Sequence, residues 1–296
     1  MNEQLDKIVK ILSGEADVHG ENKTNDDSGQ LFFCDAKNQS QLNDFIITEK
    51  PKLVVLVGFA GYGKSTFIGS LFQKLTENQN YCGYAFVDSD TYVGFERRVF
   101  LRRVNKDNTS DTKRNILREN DILNMKLRSK NGVLQHILVS DKAGETYAKY
   151  TSSNEEIEKD LVLENADLVL FFVDAQADSL SLAKHNLIVE KYKSILTRLK
   201  TLNKIHKPYS YIVVFTKVDL VMDGESKQNL IERRNKLCEM FKERIGEEAE
   251  AVYEVNSKDL NNEPLNDLFA KILNPKKRIE ACKEINWIKM EIEKNR

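Results

Sequence analysis

The segment from Gly58 to Ser65, with the sequence GFAGYGKS, has the residue types and spacing of a phosphate-binding loop. It fits the pattern GxxxxGK[ST], in which glycines let backbone N–H groups turn toward phosphate oxygens and the following helix presents its positive N-terminus. We expect Lys64 to neutralise charge on the β- and γ-phosphates and Ser65 to be a magnesium ligand. The nucleotide-binding residues predicted from this segment are Gly58, Gly61, Tyr62, Gly63, Lys64, Ser65 and Thr66.

A second short motif, DKAG, runs from Asp141 to Gly144 directly after an apolar run. A DxxG sequence at the carboxyl end of a strand lies where an open α/β sheet binds its ligand. We expect Asp141 to reach the magnesium shell and the backbone N–H of Gly144 to reach the γ-phosphate, since no side chain obstructs the approach. Such a loop can rearrange after hydrolysis.

The sequence TKVD, from Thr216 to Asp219, follows another apolar run and resembles the [NT]KxD motif by which GTPases recognise guanine. The Asp219 carboxylate can accept two hydrogen bonds from the N1–H and 2-amino groups of guanine, whereas adenine would leave these acceptors unpaired, a difference of a few kcal/mol. Lys217 can lay its aliphatic stem along the base or the ribose. Thr216 stands where Asn is more usual, so we expect one side-chain amide contact to the base or the phosphate loop to be missing and base affinity to be weaker.

Asn256, Ser257 and Lys258 follow a short apolar run. They have the place and approximate form of the S-A-K loop of GTPases, whose backbone contacts the guanine oxygen. They therefore complete the predicted base-binding set with Thr216, Lys217 and Asp219.

Short apolar runs of strand length must position these motifs. They are rich in Val, Ile, Leu and Phe, which is typical of strands buried on both faces of a parallel sheet. Helical segments separate them, and the order β-α-β-β-α-β-α-β-α predicts a mostly parallel sheet in a three-layer α/β domain. The predicted strands are Leu53–Val57, Ile122–Arg128, Val133–Val139, Leu168–Val173, Tyr211–Phe215 and Ala251–Val255, and the predicted helices are Ser65–Leu75, Leu180–Leu202 and Lys227–Arg244.

One antiparallel pair is predicted, an edge hairpin of Ile122–Arg128 with Val133–Val139. Its connection contains Asn131-Gly132, and these residues adopt the positive φ angles of a tight hairpin turn.

Composition excludes several other classes of protein. The chain has 296 residues, of which 41% are hydrophobic and 31% charged, with 4 Pro and 13 Gly, so it is neither collagen-like nor largely disordered. Lys and Arg number 45 against 46 Asp and Glu, and the net charge of -1 gives no global attraction to nucleic acid or an anionic membrane. The four cysteines form no zinc or disulfide pattern, and no apolar run approaches a membrane span. We expect a cytoplasmic protein with reduced thiols.

The chain divides by composition into three parts. Residues 1–50 are predicted as a short helix and a polar linker, residues 51–274 as the nucleotide-binding domain, and residues 275–296 as a final helix. The first part carries ten acidic and five basic side chains, and it is either a solvated tail or a segment that docks elsewhere. The final helix either covers its own domain, which we favour, or binds a partner or a membrane surface.

Four motifs in this order, each at a predicted strand end, resemble those of the Ras-like, translation-factor-related class of P-loop GTPases over about residues 52–272. Within the class, the run Gly83–Arg98 followed by DKAGE is similar to the bacterial double-GTPase (DO-GTPase) group. The resemblance implies the P-loop GTPase fold, with GTP or GDP and Mg²⁺ as cofactors. It also implies a protein partner, either an effector or a second GTPase, in a bacterial conflict or defence system.

The chain departs from a minimal GTPase between Ser65 and Asp141, which are 76 positions apart. This spacing predicts an insertion of about 35 residues in the switch I region, within about residues 76–121. Thr91, in the sequence DSDTYVG, is our choice for the threonine that completes magnesium coordination, with Thr109 and Thr112 as alternatives.

Residues 97–130 hold eleven basic and four acidic side chains. Three interpretations stay open: a solvated basic helix, a surface for a protein or nucleic acid, and an arginine finger in cis, for which we choose Arg97. An arginine finger contributes about 10³–10⁵ in rate.

Glu145 stands where many relatives carry a water-orienting Gln. A carboxylate there can act as a base for water but also repels the γ-phosphate, which predicts slow hydrolysis. The alternative is a solvent-exposed loop glutamate. The predicted catalytic residues are Lys64, Gly144, Glu145 and Arg97.

These observations lead to the hypothesis of a Mg²⁺-dependent GTP-binding switch with slow hydrolysis, in which residues 84–122 and 141–155 respond to the nucleotide. One alternative is a P-loop small-molecule kinase with Asp88 or Asp90 at the acceptor, which TKVD disfavours. Another is a GTP-binding module without hydrolysis, which Glu145 and Thr216 motivate.

Overall fold

A computed structural model of the chain describes residues 34–45, 47, 50–104, 120–206 and 209–274. Several predicted features lie outside these residues. They are the N-terminal helix with the polar stretch of residues 14–30, the part of the insertion that contains Thr109 and Thr112, and the helix after Pro275.

The described strands are β1 (Lys52–Val57), β2 (Tyr84–Asp88), β3 (Asn120–Ser129), β4 (Leu134–Lys142), β5 (Leu168–Asp174), β6 (Tyr211–Thr216) and β7 (Ala251–Val255). They form one sheet in the order β2-β3-β4-β1-β5-β6-β7. β1 lies between β4 and β5 and is parallel to both, and β6 and β7 continue the parallel part. The predicted mostly parallel sheet is confirmed.

The described helices are α1 (Lys64–Glu77), α2 (Tyr92–Val104), α3 (Gly144–Tyr150), α4 (Asn154–Glu158), α5 (Leu161–Glu164), α6 (Ala175–Leu180), α7 (Leu182–Thr201), α8 (Gly224–Ile245) and α9 (Glu263–Leu273). The predicted helix Leu180–Leu202 is α7, which begins at Leu182 because Ser181 is extended and caps it by accepting a hydrogen bond from the backbone N–H of Lys184.

Two neighbouring phenylalanines of β5 show how helices cover both faces of the sheet. Phe172 contacts Phe67 of α1, whereas Phe171 contacts Tyr192 of α7 and Phe241 of α8. Successive strand residues point to opposite faces, so α1 lies on one side of the sheet and α7 and α8 lie on the other. The three-layer arrangement therefore follows from strands that are apolar on both faces.

The predicted hairpin is formed by β3 and β4, which pair antiparallel from Asn120–Lys142 to Arg128–Leu134. Gly132 in the turn has φ of +79°, whereas Asn131 does not have a positive φ, so the prediction of two positive φ angles is confirmed for Gly132 alone. β2, which was not predicted, pairs antiparallel with β3 and extends the hairpin outward by one strand. The part of the insertion that the structure describes thus adds a strand and a helix to the domain.

The segment of residues 34–45 packs on this added part. Lys37 exchanges backbone hydrogen bonds with Ile122 of β3, and the backbone N–H of Val93 in α2 donates to the Cys34 carbonyl oxygen. Leu42 and Phe45, in and after a 3-10 helix, are buried. Residues 34–45 are therefore packed against the domain rather than solvated.

Within the described parts of the chain, the helices are each too short or too polar to span a lipid bilayer.

The buried Lys52 makes the stability of the fold depend on pH. Its Nζ donates to the carbonyl oxygen of Ile272 near the end of α9, and burial lowers its pKa to about 8, against the opposing charges of Asp167 and Glu250. The unfolded chain holds the same proton with a pKa of 10.5. Folding therefore carries the cost of a buried cation below about pH 8, and this cost disappears as the pH rises toward about 10.5.

We expect the free energy of unfolding of the unmodified chain to rise by up to about 3 kcal/mol, relative to that of Lys52→Met, between about pH 8 and 10.5. Urea denaturation at a series of pH values measures the difference. Lys50→Met, at an exposed lysine, is the matched control and should show no such trend. A difference between the chain and Lys52→Met that does not vary with pH would contradict the assignment.

Candidate nucleotide-binding site

The loops after β1, β4, β6 and β7 carry the four motifs predicted from the sequence. These strands are mutually parallel in the sheet, so their carboxyl ends lie along one edge. The strand order reverses at β1, because β4 lies on one side of it and the next strand, β5, lies on the other. The crevice at such a reversal is where α/β sheets bind ligands.

The loop from Gly58 to Ser65 has the backbone of a phosphate cradle. Gly61 and Gly63 have φ of +79° and +81°, a region that other residues rarely adopt. Lys64 begins α1 directly after Gly63, so the N-terminus of a fourteen-residue helix opens onto the loop.

Lys64 is folded into its own loop. Its Nζ donates to the carbonyl oxygens of Gly58 at 2.6 Å and Phe59 at 3.3 Å and lies 5.7 Å from the centre of the Tyr147 ring. Burial lowers the pKa of Lys64 to about 8, and the charges of Asp141 and Glu145 oppose that shift. To meet a phosphate, the ammonium group must exchange these carbonyl partners for phosphate oxygens.

Ser65 and Asp141 come together as predicted. The Ser65 hydroxyl donates to Asp141 Oδ2 at 2.9 Å. Asp141 is buried, and its Oδ1 has no hydrogen-bond partner among the described residues. A hydroxyl oxygen and an unpartnered carboxylate oxygen are ligands that Mg²⁺ prefers, so this corner fits the ion.

The described residues contain no group of three or more His, Cys, Asp or Glu side chains that could hold a metal. A site with few protein ligands is what Mg²⁺ uses when phosphates and water supply the remainder.

Arg98, rather than Arg97, reaches this corner. Arg98 Nε donates to Asp141 Oδ2 at 2.8 Å, and its Nη2 donates to Asp121 Oδ2 at 2.9 Å. Burial alone would lower the pKa of Arg98, but Asp141 and Asp121 outweigh it and raise that pKa. The half-exposed Arg97 instead pairs with Asp35 at 2.9 Å.

The hydroxyl of Thr91, the residue directly before α2, is bound to β3. It accepts from the backbone N–H of Asn124 in β3 at 2.9 Å, and it lies 3.2 Å from the Ser89 hydroxyl. The Thr91 carbonyl oxygen accepts from the N–H of Phe95 in the first turn of α2. In this structure Thr91 therefore joins the start of α2 to β3.

Gly144 lies directly against the phosphate loop. A Cβ atom built on it would be 2.0 Å from the backbone nitrogen of Ala60 and 2.4 Å from the carbonyl carbon of Phe59. The structure therefore requires glycine because two backbones meet, and it brings the second motif to the first. Glu145, the next residue, is exposed.

The helix that Gly144 begins, α3, is fixed by a buried polar network. Lys142 and the Tyr150 hydroxyl both donate to Asp160 Oδ2, and Lys142 Nζ also donates to the Tyr150 oxygen at 2.8 Å. Tyr147 is completely buried within the same helix. These contacts hold the far end of α3, while its first residue touches the phosphate loop.

Thr216 keeps a tie to the phosphate loop although it replaces Asn. Its hydroxyl donates to the carbonyl oxygen of Tyr62 at 3.0 Å, and it lies 3.3 Å from the carbonyl oxygen of Val173. The loop passes close enough to β6 for the shorter hydroxyl side chain to reach it, whereas the loss of an amide contact to the base stays a prediction.

The remaining base-recognition residues follow Thr216. Lys217 has φ of 59°, and its Nζ donates to Asp174 Oδ2 at 2.5 Å. Asp219 is exposed in the short 3-10 helix after it. The ammonium group of Lys217 is thus fixed by the end of β5, while its stem is left to lie along a ligand.

The loop after β7 is tied to α1. The Ser70 hydroxyl donates to the Ser257 carbonyl oxygen, and the Asn256 Oδ1 accepts from the backbone N–H of Lys258 at 3.0 Å. Ser257 is buried, and its hydroxyl has no hydrogen-bond partner in the described part of the chain. The other three motifs are therefore connected to the phosphate loop or its helix.

Four residues of the site were not predicted: Arg98, Asp121, Tyr147 and Asp174. Asp121 lies opposite Asp141 in the observed register, whereas a two-residue turn at Asn131-Gly132 would have placed it opposite Lys142, so the sequence signal did not identify the pair. No local pattern marks Arg98, which depends on how α2 packs.

A family model described as Double-GTPase 2 matches residues 52–277. The match covers most of the chain and includes all four motifs. The chain therefore belongs to the Double-GTPase 2 family, and its fold is that of an α/β P-loop GTPase domain. The resemblance to the DO-GTPase group is confirmed. The search of curated proteins gave no match.

Gly144→Ala tests the contact between the second motif and the phosphate loop. The added Cβ overlaps backbone atoms that cannot rotate away, so we expect it to lower the free energy of unfolding by about 1–3 kcal/mol. Gly224→Ala, at the exposed first residue of α8 with open space around it, should instead raise that energy by about 0.4–1 kcal/mol. Urea denaturation of both variants measures the effect, and equal results for the two would contradict it.

Proposed function

We propose that this chain binds GTP and GDP with Mg²⁺, hydrolyses GTP slowly, and uses the change of nucleotide to control binding of a protein partner. The hydrogen bond from Thr216 to the Tyr62 carbonyl oxygen carries the proposal, because it joins the base-recognition motif to the phosphate loop. Asp219 then lies at a fixed reach from the phosphates, where its carboxylate selects guanine.

The backbone N–H groups from Gly61 to Ser65 and the N-terminus of α1 bind the phosphates. Lys64 leaves the carbonyl oxygens of Gly58 and Phe59 for the β- and γ-phosphates. Mg²⁺, when bound, neutralises phosphate charge. Ser65 and Asp141 would hold it, and Thr91 would join them only if its hydroxyl left Asn124.

Hydrolysis proceeds by in-line attack of water on the γ-phosphate, with the charge stabilised by Lys64 and by backbone N–H groups that include that of Gly144. Glu145 is exposed beside this position, and its carboxylate both accepts a proton from water and repels the phosphate. Arg97 would have to break its pair with Asp35 before it could act as an arginine finger.

Residues 84–122 and 141–155 are the segments that respond to the nucleotide, because they contain the residues that flank the γ-phosphate and Mg²⁺ positions. Gly144 touches the phosphate loop, so a γ-phosphate that binds its N–H also sets the position of α3. A partner that contacts either segment would respond to the nucleotide. We place this activity in the cytoplasm, in bacterial conflict or defence, with an effector or a second GTPase as the partner; membership of the Double-GTPase 2 family supports the GTPase domain on which this part of the proposal rests.

A GTP-binding module that does not hydrolyse GTP is the second candidate, and Glu145 in place of Gln favours it. The kinase alternative has less support. Asp90, one of its two acceptor residues, accepts a hydrogen bond from the side chain of Asn124 and pairs with Lys37.

Base selectivity tests the first part of the proposal. We expect fluorescent GTP and GDP analogues to bind with Mg²⁺ at least about tenfold more tightly than the ATP analogue, because adenine leaves the Asp219 oxygens unpaired. Asp219→Asn should shift the preference toward xanthine nucleotides, since an amide can donate to the 2-oxo group of xanthine. ATP binding as tight as GTP binding would favour the kinase.

Phosphate release from GTP distinguishes the switch from the module without hydrolysis. We expect slow release by the unmodified chain and release about tenfold faster by Glu145→Gln, because the repulsion between carboxylate and γ-phosphate is removed. Glu158→Gln, at an exposed glutamate beyond the site, is the matched control and should leave the rate unchanged. Tight GTP binding without release by both proteins would favour the module.

A further inference from the structure

Two buried carboxylates face each other across the hairpin at the candidate magnesium site. Asp121 of β3 and Asp141 of β4 are directly opposed in the antiparallel register. Like charges in such a pair repel each other, and burial leaves little water to screen them. A positive charge at this point allows both groups to stay ionised, whereas without it they could avoid the repulsion only by keeping a proton.

Arg98 supplies that charge. Its guanidinium group is buried and donates from Nε to Asp141 Oδ2, from Nη2 to Asp121 Oδ2, and from Nη1 to the Gly94 carbonyl oxygen at 2.7 Å. All three nitrogens are therefore engaged, and the planar fork bridges the two carboxylates.

The helix that carries Arg98 is held firmly against α1. A Cβ atom on Gly69 of α1 would lie 2.9 Å from the backbone carbon and oxygen of Arg98, so the two helices meet backbone to backbone. Phe72 of α1 stacks on Phe95 of α2 with ring centres 4.4 Å apart. Arg98 is thus fixed relative to the helix that follows the phosphate loop.

We propose that Arg98 is a built-in cation that keeps the Asp121–Asp141 pair from binding a divalent cation by itself and so makes metal binding depend on nucleotide. Two opposed carboxylates without Arg98 would offer a divalent ion a charge of −2. With Arg98 between them the net charge is −1, and Asp141 Oδ1 has no hydrogen-bond partner among the described residues. A nucleotide must then contribute the further negative charge. This inference rests on the proposed Mg²⁺-dependent function.

Mn²⁺ binding to the nucleotide-free protein, followed by electron paramagnetic resonance, tests the proposal. We expect weak binding by the unmodified chain and binding at least about tenfold tighter by Arg98→Met, because one buried positive charge is lost. Arg98→Lys, which keeps the charge, should bind as weakly as the unmodified chain. In the double variant Arg98→Met/Asp121→Asn one negative charge is also lost, and binding should weaken again.

Arg128→Met is the matched control, because it removes an exposed arginine from the same strand as Asp121 and should not change Mn²⁺ binding. A folded Arg98→Met that binds Mn²⁺ no more tightly than the unmodified chain would overturn the proposal. Failure of the proposed GTP binding would not affect this readout, because no nucleotide is present.

If Arg98→Met does not fold, Arg98→Gln takes its place, since the amide can still donate to a carboxylate without carrying charge. If neither folds, Asp121→Asn decides. It leaves Arg98 and Asp141 alone with no net charge, so the Mg²⁺ concentration that half-saturates the GDP complex should rise about tenfold. An unchanged Mg²⁺ concentration at half-saturation would overturn the proposal. If the unmodified chain does not bind GDP at all, that result would instead count against the GTPase function.

Discussion

The Oδ2 atom of Asp141 is the point at which three parts of the chain meet. It accepts a hydrogen bond from Ser65, at the start of α1, and another from Arg98, in the inserted helix α2, while Asp141 itself belongs to β4. Hydrogen bonds in such a buried, poorly screened place are strong, and a missing partner is costly. These two hydrogen bonds therefore require three features to be compatible: the register of the hairpin, the packing of α2 on α1 and the placement of the DKAG motif.

Near this point, lysine side chains already have hydrogen-bond partners within the protein. Lys64 is bound to carbonyl oxygens of its own loop, Lys142 to Asp160, and Lys217 to Asp174. A phosphate that approaches Lys64 therefore replaces existing partners rather than meeting an unpaired charge. The exchange is favourable because a phosphate carries a full negative charge, whereas a carbonyl oxygen carries only a partial one.

The sequence predicted the features that rest on local patterns. The positive φ angles of Gly61 and Gly63, the buried strands and the hairpin turn at Asn131-Gly132 all follow from residue types at fixed spacings. β2 was missed because it is a short edge strand with a partly exposed face. Arg98 and Asp141 are 43 positions apart, and their contact depends on helix packing that no local pattern encodes. The hydrogen bond from Thr216 to the phosphate loop was not predicted because the distance between two backbones decides it.

The docked segment of residues 34–45 lies wholly before residue 52, where the family match begins. Ala36, Leu42 and Phe45 are nevertheless buried, and Asp35 is the ion-pair partner of Arg97. A protein trimmed to the limits of the family match would lose a backbone bridge along β3 and expose apolar surface beside α2. The smallest fragment that keeps these contacts therefore begins at or before residue 34.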